Sequence, residues 1–247
     1  MTEIGPGHVF LAALLTALAT GLGALPFLFV PHMRRRWLGV SNCLAAGLML
    51  GASFYLLLEG FAFSPGRTLV GVLLGLALVD IGHRVLNHHP DLSIADIHGA
   101  NAAKALMIVG VMTVHSMAEG IGVGVAYGDG ATLGNFITAA IAVHNIPEGL
   151  AISLVLIPRG ASVLQAAGWS VFSSLPQPLL AVPAFLFVLA FQPWLPLGLG
   201  LAAGAMIWMT LADLVPDALE DVSNHTVAIV VTLSLTAMLA FQEFVLQ

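Results

Sequence analysis

The chain has 247 residues, 59% of them hydrophobic and 8% charged, with a formal net charge of −6 and a mean hydropathy of +0.99. Soluble domains carry about a quarter charged residues, so this composition excludes one and predicts an all-α polytopic membrane protein whose constant partner is the lipid bilayer. Most carboxylates fall in loops or at helix ends, so the acidic balance implies neither a basic partner nor a nucleic acid.

A bilayer is crossed by about 17–25 apolar residues. Eight such spans are read at roughly 8–30, 40–59, 68–84, 104–127, 132–157, 164–190, 196–214 and 226–246, which leaves a single transmembrane domain over 1–247. The residues before span 1 contain no basic n-region, so the first stretch reads as a retained span and not as a signal peptide. No organelle-targeting stretch is visible, which points to a bacterial inner membrane. Arg34, Arg35 and Arg36 follow span 1, Arg67 precedes span 3, and Arg84, Lys104 and Arg159 complete the basic residues. With the N-terminus outside, Arg67 alone lies outside, and the positive-inside rule selects an N-out, C-out orientation.

Span 2 carries the lone cysteine, Cys43, which excludes an intrachain disulfide and a thiolate cluster and reads as a small buried side chain. The segment Leu44-Ala-Ala-Gly-Leu-Met49 returns in span 7 as Leu201-Ala-Ala-Gly-Ala-Met206, each copy followed by acidic positions, Glu59 and the pair Asp213 and Asp217. Spans 2 and 7 run oppositely, as do spans 4 and 5. Two nested antiparallel pairs are the signature of an inverted repeat, a layout in which substrate binds near mid-membrane. Between spans 3 and 4 lie His83, His88, His89 and His98 with Asp91 and Asp96. These imidazoles can bind zinc transiently without fixing a geometry, or simply form a solvated polar loop.

Spans 4 and 5 hold the chemistry. His115-Ser-Met-Ala-Glu119-Gly120 and His144-Asn-Ile-Pro-Glu148-Gly149 repeat one pattern. On a helix, positions i and i+4 share a face, so each copy points an imidazole and a carboxylate the same way. A carboxylate at mid-bilayer costs at least about 2.5–3.5 kcal/mol. A pair of His–Glu hydrogen bonds between helices is the plainer reading, but one Asn or Ser would serve with less desolvation. A divalent cation held by His115, Glu119, His144 and Glu148 offsets the burial directly. Two nitrogens and two oxygens suit Zn²⁺ and tolerate Fe²⁺, Mn²⁺, Co²⁺ or Cd²⁺, while Mg²⁺ and Ca²⁺ prefer oxygen alone. Pro147 frees the carbonyl of Val143, and Gly120, Gly122, Gly124 and Gly149 supply small surfaces for close helix approach.

The His-Asn-x-Pro-Glu-Gly hexapeptide in an eight-span chain, the Ala-Ala-Gly-x-Met segment of span 2 and the Leu-Val-Pro-Asp end of span 7 resemble the ZIP family of zinc and iron transporters. The prokaryotic-type branch, in which both copies carry Glu-Gly, is most similar. The resemblance implies a 3+2+3 inverted-repeat architecture, a primary transport site at His115, Glu119, His144 and Glu148, a thioether from Met49, and a homodimer. It also implies a neighbouring second site built from the residue after each His, the shared Glu residues and a Glu on span 6. Those positions here hold Ser116, Asn145 and Gln177. With no added carboxylate, one high-occupancy site is expected. The expected function is uptake of zinc, as substrate and without an organic cofactor, by alternating access. The expected motion is of spans 1–3 and 6–8 against the central pair, or the reverse. The rival readings are a membrane-embedded zinc hydrolase, which lacks the His-Glu-x-x-His signature, a proton-coupled carrier of another solute, and a channel-like member of the same family.

Overall fold

Ten α-helices run through residues 4–30, 34–87 and 100–246, the portions that a computed structural model of the chain describes. They are α1 (Pro6–Leu22), α2 (Arg35–Phe63), α3 (Pro65–Asn87), α4 (Ala100–Asp129), α5 (Ala131–Leu156), α6 (Val163–Ser174), α7 (Pro176–Ala190), α8 (Leu195–Met209), α9 (Val215–Asp221) and α10 (Asn224–Leu246). No strand occurs among the described residues. The all-helical expectation holds. Among the described residues, seven helical segments are long and apolar enough to cross a membrane. The remaining expected span, 104–127, falls within α4.

Proline decides several boundaries. Pro65 opens α3 directly after α2, and Pro176 starts α7 one residue after α6 ends, so the single span expected at 164–190 is two helices in line. Pro lacks the N–H that a helix interior needs, and tolerates only the first turn without loss. The span expected at 196–214 is likewise composite. A five-residue π turn, Thr210–Leu214, separates α8 from α9, and Pro216 follows it. Pro147, by contrast, lies inside an unbroken α5.

The helices pack in two groups. The pairing of α3 with α8 is the most extensive, and α2 joins this group through α8, α9 and α10. The other group sets α1 against α5, α6 and α7, and α4 against α5 and α7. The two groups meet where α2 touches α5 and α4 touches α8. Glycine permits the closest approaches. Gly71 and Gly75 of α3 face Gly200 and Gly204 of α8, and a Cβ at any of the four would come within 2.4 Å of a backbone oxygen on the opposite helix. This is small-xxx-small packing on both partners, the means by which helices associate where lipid removes a hydrophobic drive. On the other side, Gly120 and Gly124 of α4 lie against the backbone of Gln177 and Ala181 of α7. Gly122 does not extend that face; it looks at Ala202 of α8, as a two-residue offset on a helix requires.

Segments around α3 and α10 bury the smallest share of their residues, and those around α5 and α8 the largest. Leu69, Leu73 and Ile81 of α3 and Leu233 and Phe244 of α10 are exposed. An apolar surface this continuous is suited to lipid. At the edge of the bundle, Arg35 pairs with Asp221 at 3.0 Å and fixes the start of α2 to the end of α9.

Candidate metal centre

His115 and Glu119 are one turn apart on α4, His144 and Glu148 one turn apart on α5, and the two faces meet. Across the interface, His144 Nε2 lies 2.6 Å from Glu119 Oε1 and His115 Nε2 lies 2.8 Å from Glu148 Oε1. Within each helix the imidazole-to-carboxylate distances are 3.5 Å for His115 with Glu119 and 4.0 Å for His144 with Glu148. Ligand atoms of His115, Glu119 and Glu148 all lie within 4.8 Å of one another. None of the four residues is more than 3% exposed, so water does not solvate the two carboxylates.

Two buried contacts link the helices: His144 hydrogen-bonds to Glu119, and His115 Nε2 lies 2.8 Å from Glu148 Oε1. One imidazole and one carboxylate from each helix, brought together away from water, form a donor set that a divalent cation can use. Donors around a tetrahedral zinc ion with bonds of about 2.0–2.2 Å sit about 3.3–3.6 Å apart, a range bracketed by the observed 2.6–4.0 Å spread. Two neutral imidazoles and two carboxylates carry a charge of −2, which one divalent cation cancels.

Beside this cluster lies a second polar group, centred on Gln177 of α7. Its Nε2 donates to Glu119 Oε2 at 2.5 Å. Its Oε1 accepts from the Thr16 hydroxyl of α1 and, at 3.3 Å, from Asn145 Nδ2 of α5. Asn145 Nδ2 also donates to the Thr16 carbonyl at 2.9 Å. One turn along α1, Thr20 bonds to Ser174 at 2.8 Å. Thus the carboxylate of Glu119 is tied to α1, α5 and α7 at once.

Of the other expected ligands, Ser116 is buried on α4. Asn145 turns its amide nitrogen toward α1 and α7, and its Oδ1 is buried without a partner. Met49 is buried on α2, its Sδ 4.0 Å from the hydroxyl oxygen of Thr210 at the start of the π turn, which donates to the Met206 carbonyl at 2.8 Å. His83 lies on α3, while His88, His89 and His98 lie outside the described residues, with Asp91 and Asp96. One participant was not anticipated as part of the site, Thr16; a hydroxyl four residues from Thr20 in an otherwise apolar span was the available signal. At the far end of α4, Asp129 lies near Glu59 of α2, and burial pushes the Asp129 carboxyl above its ordinary range.

Comparison with known proteins finds relatives for most of the chain. The model of the ZIP zinc transporter family matches residues 82–241. A protein of Arabidopsis thaliana provisionally named a zinc transporter is 47% identical over 96% of this chain, which spans only 38% of that protein's length. Zinc transporter GufA of Myxococcus xanthus is 32% identical over 86% of this chain and 89% of its own. Zinc transporter ZIPB of Bordetella bronchiseptica is 29% identical over 96% of this chain and 81% of its own. A family match that takes in α4 to α9 and both His-x-x-x-Glu-Gly segments leaves one assignment: this chain belongs to the ZIP zinc transporter family.

Proposed function

We propose that the chain carries Zn²⁺ across a membrane toward the cytoplasm, with His115, Glu119, His144 and Glu148 as the transport site. The observation that carries this reading is the convergence of two imidazoles and two carboxylates, buried between α4 and α5 with contacts of 2.6 and 2.8 Å across the interface. The mixed nitrogen and oxygen set favours zinc and accommodates Fe²⁺, Mn²⁺, Co²⁺ and Cd²⁺. Ligands must shed protons to bind, so occupancy rises with pH. The named zinc transporters among its relatives, several of them bacterial, support zinc as cargo and a prokaryotic-type member in a bacterial inner membrane.

We further infer eight spans in an N-out, C-out inverted repeat, and alternating access as the mechanism. The hydrogen bonds from Glu119 through Gln177 to Thr16 favour a moving boundary different from the one expected around α4 and α5 alone. They join α1 and α7 to the site, so the boundary runs between that group and the group of α2, α3 and α8 to α10.

Purified protein reconstituted in liposomes is expected to accumulate zinc down an imposed gradient, saturably, and faster at pH 7.5 than at pH 5.5. Zinc flux equal to that of empty liposomes would remove the transport reading. Orientation has its own test. In a Cys43→Ala background, an impermeant maleimide added to intact cells is expected to label Gly66→Cys at the start of α3, and to spare Ser223→Cys between α9 and α10. The reverse pattern would invert the topology.

A further inference from the structure

Gln177 stands at the second position of α7, fully buried. The neighbouring helix reaches it because Gly120, the residue after Glu119, has no side chain: a Cβ there would meet the Gln177 carbonyl oxygen at 2.5 Å. The side chains of Glu119 and Gln177 are therefore forced together. A carboxylate only accepts hydrogen bonds, so the amide must present its NH₂ to Glu119. The other end of the amide faces Asn145 Nδ2 and the Thr16 hydroxyl, which also lies 2.7 Å from the Ala13 carbonyl. Turning the amide over would set its carbonyl against the Glu119 carboxylate and its NH₂ against Asn145 Nδ2. The carboxylate and the Asn145 amide fix its orientation from both sides.

We propose that Gln177 is a positioning residue that sets the coordination number at the metal centre. Its N–H engages one lone pair of Glu119 Oε2 and holds the carboxylate with Oε1 toward the two imidazoles, an orientation that favours monodentate over bidentate binding. This inference rests on the reading of His115, Glu119, His144 and Glu148 as the cation site. With Glu119 held to one oxygen, the site favours a four-coordinate ion such as zinc over ions that seek a six-coordinate oxygen-rich shell, such as Mn²⁺. The choice of amide over carboxylate matters equally. A Glu at position 177 would bring two carboxylates within hydrogen-bond distance, a juxtaposition that needs a proton or a second cation. Gln177 thereby keeps the centre mononuclear.

The test uses full-length purified protein loaded with Co²⁺ as a spectroscopic probe, together with zinc and manganese competition and metal stoichiometry. The wild-type protein is expected to give the intense visible absorption of four-coordinate Co²⁺ at one equivalent per chain. Gln177→Leu frees Oε2 and is expected to weaken that absorption and narrow the zinc-to-manganese affinity ratio about tenfold, the scale of a lost outer-sphere partner. Gln177→Glu is expected to bind a second equivalent. Thr16→Val removes one hydroxyl at the far end of the amide and is expected to shift the ratio the same way, about threefold. Should the position-177 variants fail to fold, Thr16→Val alone decides. Wild-type spectrum, ratio and stoichiometry in the folded variants, with the signal lost in Glu119→Ala, would overturn the role of Gln177 and leave the metal site standing. A wild-type cobalt spectrum in Glu119→Ala would overturn the site itself, and this inference with it.

Discussion

His115→Ala and Glu148→Ala are each expected to abolish zinc accumulation in reconstituted vesicles while the protein remains folded in the bilayer. Four-ligand zinc sites bind with about 10–16 kcal/mol, which is about 3 kcal/mol per ligand and about 100-fold in affinity for each one lost. Three remaining donors between α4 and α5 would hold zinc too weakly to strip its hydration shell. Folding should tolerate the change, because two terms oppose each other. Truncating Glu148 leaves His115 without its 2.8 Å neighbour, at about 1–3 kcal/mol for a stranded buried group. The same truncation removes a carboxylate whose burial costs about 2.5–3.5 kcal/mol. The net change is near zero, so loss of transport and loss of the protein are separable outcomes. Membrane-inserted Glu148→Ala that accumulates zinc at the wild-type rate would contradict the assignment.

Gly149→Ala is expected to have the largest effect of any single added methyl group. An ideal Cβ at this position falls 1.7 Å from the carbonyl oxygen of Thr20, where contacts under 3.0 Å essentially never occur, so α1 must retreat from α5 by about 1.3 Å or more. Overpacking of this kind typically costs about 1–3 kcal/mol, and more against rigid backbone. The displacement also pulls Thr16 from Gln177 and Asn145, the contacts that hold Glu119 in place. A drop of several degrees in melting temperature in detergent should therefore accompany a fall in uptake of about tenfold. Gly122→Ala is the control. Its Cβ would meet only the Ala202 side chain, at 3.2 Å, and near-wild-type stability and uptake are expected. Equal behaviour of the two variants would show that the α1–α5 approach does not govern the site.

The metal cluster was legible in the linear chain because an i, i+4 spacing converts directly into a shared helix face. His115 with Glu119 and His144 with Glu148 needed no further information to be paired. The supporting residues were not legible in the same way. Gln177 was recognised only as a departure from a carboxylate pattern, and Thr16 was passed over. Their contacts join residues 161, 58 and 129 positions apart. No local periodicity encodes such separations. Asn145 illustrates the same limit: its place beside His144 suggested a ligand, but a residue one step along a helix points about 100° away, here toward α1 and α7.

Composition and apolar length by themselves determined that the chain is helical and membrane-embedded, since lipid leaves no other way to satisfy the backbone. The repeated His-x-x-x-Glu-Gly pattern determined which residues carry the chemistry. Tertiary structure alone decided which helices share a group with the site and which oxygen of Glu119 faces the imidazoles. Those outcomes depend on backbone approach at glycines such as Gly120 and Gly149, and a missing side chain records that a neighbour can come close without recording which neighbour does.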